Sequence, residues 1–425
     1  MQNKPATALR LALLSVGVFF SLGAMAQLAQ DFSDFDPTYK NSVSLDGGFG
    51  FGSNAVSSEL ATTYYKSGYI TTAMKDVVSN RFKFSELNRL GADANMAARL
   101  SHFATTKKGA HIGYWFSVED KLNLNASFTG DMFDLYFRGN KLFEGRTANL
   151  SGSHLDYIHY RKASLGWAQE IKHQDQRWIY GVGVSVLQGV QNFSLSTGDK
   201  SRLFTEQAGV SVEPELSIVL LRSDSTTGQL SDFAGQGLGG DLFWVYDEPG
   251  KKRIALEVHD VGRIAWNSRS TETRIDTSVY FSGVEIQNIL KPDTSDFAAY
   301  DSTYLKRFLK TTSTGYTTWL PATITLSYQH YLCGTKLLYR GGIQYRIKAS
   351  YSALVYAGIQ YIPCKAFAIG AQAAFGGYTG WSYGLDATLR PGAGTSLRLR
   401  ANQLNGFLSK QTGSEAVSVC IQKTF

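Results

Sequence analysis

Two groups of residues in this sequence have side chains suited to catalysis, but neither has the spacing of an active site. His259 and Asp260 are adjacent, and adjacent residues of a strand point to opposite faces, so we expect no cooperation between them. His154, Asp156 and His159 lie close together in the chain, yet no nucleophile is placed by its spacing to serve them. The sequence therefore predicts a protein that is not an enzyme.

Three cysteines are the remaining candidates for metal or redox chemistry: Cys333, Cys364 and Cys420. They form no C-x-x-C pair and no cluster with histidine, so we expect no metal site, and no cofactor is implied. Cys333 and Cys364 fall in two short turns, which strand spacing places about 10 Å apart. That separation exceeds ordinary disulfide reach unless the turns lean together, so a disulfide between them stays open. Cys420 is predicted to be a small residue of the interior.

Basic residues recur in the C-terminal part of the chain, opposite apolar positions such as Ile343 and Tyr345. A row of cations facing an interior could bind a carboxylate or sulfate group of a ligand. Alternatively, these residues pair with acids of a plug or loop, such as Asp34 and Asp36. Both interpretations remain open. The candidate anion-binding residues are Arg340, Arg346, Lys348, Arg390, Arg398 and Arg400.

The N-terminus has the features of a secretory signal peptide. Lys4 and Arg10 provide positive charge, an apolar run follows, and Ala24 and Ala26 form an A-x-A cleavage site. Residues 1–26 contain two bases and no acid, so removal lowers the net charge from +7 to 7 − 2 = +5. That mild excess does not predict a nucleic-acid partner. We divide the remainder into an N-terminal periplasmic or plug segment, 27–41, and a barrel, 42–425.

The last strand shows the pattern that recurs along the chain. In Glu415–Phe425 apolar residues alternate with small or polar ones, which is the period of a strand. About 14 such segments occur, and their connections alternate between short turns and long polar loops. Two segments have helical spacing instead, Thr71–Lys83 and Phe128–Gly139. The sequence predicts an all-β fold, a transmembrane antiparallel β-barrel of about 14 strands with short periplasmic turns and long extracellular loops.

Two features of the sequence resemble known protein families. A chain that ends on an aromatic residue, here Phe425, resembles bacterial outer-membrane barrels, in which that residue is part of the signal for the barrel assembly machinery. The stretches 237–242 and 260–266 resemble an uncharacterised outer-membrane family similar to FadL-like fatty-acid transporters, and 139–145 and 320–322 fit the same pattern.

This resemblance implies a function and a set of partners. It implies a barrel in the outer membrane of a Gram-negative cell, surrounded by its lipid. It also implies passive transport of hydrophobic or amphipathic anionic molecules. The alternative is a plugged, structural barrel that docks components of protein secretion.

Overall fold

The structure is a computed structural model that describes residues 40–82, 86–106, 111–207, 211–225, 233–278, 281–282, 309–392 and 394–425. The predicted signal peptide, residues 27–39 of the predicted plug segment, and the acids Asp34 and Asp36 lie outside the described residues. Within the described residues, no helix has the length and apolar character needed to cross a bilayer.

Fourteen strands of the described chain form one closed antiparallel ring. Each strand pairs with its successor, and the last pairs with the first, where Phe49 lies opposite Val417. At this seam the Asn41 N–H donates to the Phe425 carbonyl at 2.9 Å, and the Phe425 N–H donates to the Asn41 carbonyl at 3.0 Å. The predicted closed all-β barrel of about 14 strands is confirmed. The strands are β1 (Asn41–Ser53), β2 (Asn88–Thr105), β3 (His111–Phe128), β4 (His154–His173), β5 (Gln176–Thr197), β6 (Gly235–Glu248), β7 (Lys252–Trp266), β8 (Thr323–Leu332), β9 (Leu337–Arg346), β10 (Ser352–Cys364), β11 (Phe367–Gly377), β12 (Gly380–Gly392), β13 (Thr395–Gln403) and β14 (Ser414–Thr424).

The connections between strands differ at the two ends of the barrel. At one end they are short, with two residues between β4 and β5 and two between β10 and β11. Outer-membrane barrels have short periplasmic turns and long extracellular loops, so we call this end periplasmic and the other extracellular. Two extracellular turns, 347–351 and 378–379, are also short. The long extracellular connections are 54–87, 129–153, 198–234 and 267–322.

Side chains alternate between an exposed apolar face and a face that lines the interior. On β5, Val182, Val184 and Val186 are 52%, 68% and 61% exposed, whereas Ile179 and Leu187 on the other face are buried. Exposed apolar side chains continue around the ring on β3, β9, β10, β11 and β12. An apolar belt of this kind is stable when it faces lipid, because exposure of so much apolar surface to water is unfavourable in free energy.

The wall formed by β2–β5 is taller than the wall formed by β8–β14. Its strands have 18 to 22 residues, whereas those of β8–β14 have 9 to 13. About 9–11 residues of a tilted strand cross a bilayer, so the upper parts of β2–β5 rise above it. Further strands outside the ring are Arg146–Asn149, Arg202–Thr205, Ser211–Arg222, Thr271–Ser278, Phe281–Ser282, Leu309–Ser313 and Thr317–Trp319.

Helices occupy the extracellular connections. The helices predicted over Thr71–Lys83 and Phe128–Gly139 are confirmed as α2 (Thr72–Ser79) and α3 (Gly130–Arg138). Helix α1 (Ser58–Tyr65) was not predicted. Leu60 of α1 and Phe133 of α3 pack with Phe82 in one apolar cluster on the upper part of the tall wall. This packing explains why an eight-residue helix persists there, since short helices depend on tertiary contacts. The helices are α1 (Ser58–Tyr65), α2 (Thr72–Ser79), α3 (Gly130–Arg138), the 3₁₀ turn Asn140–Phe143, and α4 (Asn405–Leu408).

Candidate functional site

In the periplasmic half of the lumen, an apolar cluster packs along the wall β2–β7. Trp115 is buried, and its ring centre lies 5.7 Å from that of Phe243. Phe103 and Ile179 pack into the same cluster. Gly166 is needed beneath the indole, because a Cβ at that position would lie 2.0 Å from the Trp115 ring. Close packing of this kind leaves little space for solutes along this wall.

Above this cluster lies a layer of charged side chains from β3, β4, β6 and β7. The Lys162 ammonium lies 2.7 Å from Asp241 and 2.8 Å from Asp260. The Lys121 ammonium lies 2.7 Å from Asp260 and 2.9 Å from Glu119. A buried charge is costly unless it is paired and hydrogen-bonded, and each lysine here contacts two carboxylates. The layer therefore ties four strands together through paired charges.

A β-bulge in β7 places two adjacent residues on the same side of the wall. The pairing of β7 with β6 shifts between Val258 and Val261, and Asp260 has a φ of 61°. Both His259 and Asp260 are buried, and His259 Nε2 lies 3.1 Å from the Glu257 carboxylate. The prediction that His259 and Asp260 point to opposite faces was wrong, because the extra residue of a bulge interrupts the alternation.

A second apolar layer covers the charged layer on its extracellular side. Tyr160, Leu187, Ile264, Trp266 and Leu320 are all buried in it. The Trp266 indole N–H donates to the Thr318 hydroxyl at 2.8 Å, which satisfies the polar atom of the ring. Along β2–β7 the lumen thus contains an apolar, a charged and an apolar layer in succession.

A buried ion pair crosses the lumen between opposite walls. Arg346 belongs to β9 and Asp93 to β2, which are 9 − 2 = 7 places apart in a ring of fourteen. Arg346 Nη1 donates to Asp93 Oδ2 at 2.9 Å, and the Asn123 amide of β3 donates to the other carboxylate oxygen. The guanidinium also lies 4.9 Å from the centre of the Tyr351 ring. This pair holds the two walls together near the extracellular mouth.

Two extracellular turns, 347–351 and 378–379, fold inward over the lumen; we call them the lid. The Ser350 N–H donates to Asn125 Oδ1 at 2.7 Å, and Ser350 Oγ lies 2.9 Å from His154 Nε2. The Tyr378 hydroxyl donates to the same Asn125 oxygen at 3.3 Å. Gly91 of β2 permits this approach, since a Cβ there would lie 2.0 Å from the Tyr378 ring. The lid therefore rests on the opposite wall.

The lid tyrosines pack against each other above the lumen. The rings of Tyr351 and Tyr378 meet edge to face, with centres 5.0 Å apart. Burial raises the pKa of Tyr351 to about 12 and also raises the pKa of Tyr378 above its usual value. Both hydroxyls therefore stay protonated at neutral pH and remain hydrogen-bond donors.

Beneath the lid lies a cavity of about 120 Å³. It is bordered by β1 and β2 on one side and by β7–β14 on the other. Its described lining contains four charged side chains, Asp93, Glu257, Arg340 and Arg400. Most of the other polar lining residues carry amides or hydroxyls. The cavity is a part of the described lumen in which a small molecule could be held.

Sequence comparison relates this barrel to one family. The model described as "Family of unknown function (DUF5723)" matches residues 35–395. The chain belongs to this family. No curated protein matches it at a significant level.

Several solved structures are similar to this chain at low sequence identity. One is a deletion mutant of the monoaromatic hydrocarbon channel TodX, with 9% identity, 95% of this chain and 96% of that chain covered, and a TM-score of 0.44. Another is a FadL homologue of Pseudomonas aeruginosa, with 10% identity, coverages of 91% and 90%, and a TM-score of 0.41. The resemblance expected from the sequence is confirmed. Because these TM-scores are below 0.5, the solved structures do not indicate the substrate of this protein. The residues that line its own lumen are the basis for inferring a substrate.

The candidate anion-binding residues have different environments in the structure. Arg340 pairs with Asp386, and Arg346 pairs with Asp93, so both face acids of the barrel itself. Arg400 lines the cavity and lies opposite Asp386 on the neighbouring strand. Arg398 is the preceding inward position of the same strand.

Two of the predicted lumen cations lie at the rims of the barrel. Lys348 is exposed in the turn after β9 with a φ of 61°, so its placement on the inner wall was wrong. The strand ends at Arg346, and alternation does not extend into the turn. Arg390 is exposed near the periplasmic end of β12, where its guanidinium lies 3.5 Å from the Lys365 carbonyl.

The three cysteines are free thiols in this structure, so the candidate disulfide between Cys333 and Cys364 is not formed. Both are exposed at the periplasmic rim, where Cys333 follows β8 and Cys364 is the last residue of β10. Phe425 is 60% exposed at the periplasmic end of the seam between β14 and β1. Its role as an assembly signal remains a prediction.

Sequence reasoning missed several residues that build the site. Asp93 and Asn125 occupy inward positions of β2 and β3, and alternation alone could have placed these polar side chains in the lumen. Ser382 lies in Gly380–Gly384, which has the G-x-S-x-G spacing of a hydrolase nucleophile. Here the serine lies within strand β12 and not at a strand-to-helix turn, so the pattern lacks the context that such a nucleophile requires.

Proposed function

We propose that this protein is an outer-membrane channel through which small amphipathic molecules pass passively, and only when the lid opens. The apolar belt around the ring supports a position in lipid. The signal peptide predicted over 1–26 supports export from the cytoplasm. Passive passage of the solute requires no cofactor and no energy source beyond its concentration gradient.

The cavity beneath the lid is the single observation that carries this proposal. Tyr351, Tyr356 and Tyr378 border it and can contact the apolar part of a ligand. Arg340 and Arg400 border it as well and can donate hydrogen bonds to a polar or anionic end. A site with both kinds of group suits a molecule that is apolar at one end and polar at the other.

Passage requires movement of the lid, because the lid closes the cavity from the extracellular side. Ser350 and Tyr378 have to leave Asn125, and Arg346 has to leave Asp93. These are a few hydrogen bonds and one ion pair, each replaceable by water at the mouth. Such contacts contribute about 0.5–3 kcal/mol each, so the closed state is favoured but opening stays accessible.

A reversible cross-link of the lid tests this function. The variant Ser350→Cys with Asn125→Cys is made in a background in which Cys333, Cys364 and Cys420 are serine. In proteoliposomes, oxidation should reduce the solute-dependent swelling rate to that of empty liposomes, and a reductant should restore it. Each single-cysteine variant is the matched control. Swelling that is equally fast in the oxidised double variant would contradict the proposal.

A plugged barrel that docks secretion partners is the second candidate function. The layers of side chains along β2–β7 favour it, since they occupy much of the described lumen. A plugged barrel should give no conductance in planar bilayers, with or without the lid contacts. A gated channel should conduct rarely in the native form and often when the lid is released.

A further inference from the structure

We propose that the cavity beneath the lid recognises a neutral, multiply hydroxylated group, such as a small polyol or one edge of a sugar ring. The proposal rests on the transport function above and specifies the polar end of its substrate. Three observations carry it: buried polar atoms without protein partners, a balanced charge, and a small volume.

Polar atoms of three residues that border the cavity lack a hydrogen-bond partner within the described part of the chain, and two of these residues lie on the adjacent strands β12 and β13. They are Thr325 Oγ1 on β8, Ser382 Oγ on β12 and Asn402 Nδ2 on β13. All three residues border the cavity, and Ser382 is only 1% exposed. A buried polar atom left unpaired costs about 1–3 kcal/mol, so these atoms require a polar occupant.

The amide of Asn402 is oriented by a neighbour. The Gln372 amide donates to Asn402 Oδ1 at 3.1 Å, which leaves Asn402 Nδ2 as a donor towards the cavity. The Ser382 and Thr325 hydroxyls can both donate and accept. The Asn402 donor on β13 and the Ser382 hydroxyl on the adjacent strand β12 match two adjacent hydroxyl groups of a polyol, each of which also donates and accepts.

The charges around the cavity cancel. The charged residues of the lining are Asp93, Glu257, Arg340 and Arg400, which sum formally to −2 + 2 = 0. An anionic ligand would have to compete with carboxylates already placed near the arginines, as Asp386 is for Arg340. An alkyl chain would leave the buried hydroxyls and amide unpaired. A neutral ligand with several hydroxyls avoids both costs.

The volume limits the size of the enclosed group. A protein cavity of about 150 Å³ is known to hold benzene, so 120 Å³ accommodates about six non-hydrogen atoms. A long acyl chain does not fit in it. Three or four adjacent hydroxylated carbons do.

Binding of small probes to the purified full-length protein in detergent tests this proposal. The probes are erythritol, its matched anion erythronate, and hexanoate, titrated calorimetrically into the native protein and into Asp93→Asn, in which we expect the lid to be released. We expect erythritol to bind at least tenfold more tightly than either anion. Ser382→Ala and Asn402→Leu should each weaken erythritol binding five- to tenfold.

The matched control is Ser185→Ala, which removes a buried hydroxyl from the opposite side of the barrel, 2.9 Å from Ser164. It should bind erythritol as the native protein does. Tighter binding of hexanoate or erythronate would overturn the proposal. So would erythritol binding that is unchanged in both cavity variants, or no detectable binding of any probe, which would mean that water alone occupies the cavity.

The two proposals fail separately. If the cross-linked lid controls swelling but erythritol does not bind, the channel function stands and the substrate class is wrong. If erythritol binds at Ser382 and Asn402 but cross-linking has no effect on swelling, the site stands and the channel function is wrong.

Discussion

Replacing Asp93 by Asn should open the lumen by releasing Arg346 from the opposite wall. The guanidinium is 2% exposed and donates to the carboxylate at 2.9 Å. Because the pair exists only while the lid is closed, loss of the carboxylate should destabilise the closed state and not the open one. A hydrogen bond to a charged group contributes about 1.5–3 kcal/mol. Because about 1.4 kcal/mol is a factor of ten, the ratio of open to closed lid should rise about 10- to 150-fold.

Single-channel recording in planar bilayers measures this change as open probability. The control is Asp134→Asn on α3, outside the lumen. It removes the carboxylate whose Oδ1 lies 2.9 Å from Arg138 Nε. It should behave as the native protein does. Exchanging the two charges, with Asp93→Arg and Arg346→Asp together, should restore the low open probability.

One outcome would refute this reasoning. If Asp93→Asn keeps the heat-resistant mobility of a folded barrel and its open probability equals that of the native protein, the ion pair does not hold the lid. A charge-exchange variant as open as Asp93→Asn would show that another property of the site, not the pairing, controls the mouth.

Four further changes have expected outcomes. Gly91→Ala places a Cβ 2.0 Å from the lid tyrosine ring and should raise the open probability; an unchanged value would contradict the packing. Trp115→Ala should lower the free energy of unfolding by about 3–5 kcal/mol in a denaturant titration, since it leaves a cavity in the lower apolar layer. Deletion of Phe425 should reduce the fraction of heat-modifiable, folded protein in the membrane, unless the terminal residue plays no part in assembly. In the Asp93→Asn background, Arg398→Gln with Arg400→Gln should lower anion relative to cation permeability, read from the reversal potential.

The strands were predictable because each lies between two different environments. The last strand, predicted over Glu415–Phe425, is Ser414–Thr424 in the structure. Lipid on one side and a polar lumen on the other impose an alternation that is visible over a few residues. The same local signal separated short turns from long loops.

Prediction was poorer where the two faces of a strand do not meet lipid on one side and a polar lumen on the other. Above the bilayer, Leu122, Asn123 and Asn125 of β3 are buried on both faces of the sheet, so the alternation weakens. Helix α1 was missed there, because it is short and depends on packing against the tall wall. The charged layer was missed for a related reason, since a bulge at Asp260 changes which face each residue occupies.

The sequence by itself determined the closed ring, its approximate number of strands and the direction of its apolar face. These follow from the period of side chains along one strand. Only the tertiary structure decided that Arg346 meets Asp93, 253 positions away, that two turns fold into a lid, and that a small polar cavity remains below them. Such contacts depend on which strands face each other after the ring has closed, and no local pattern carries that information.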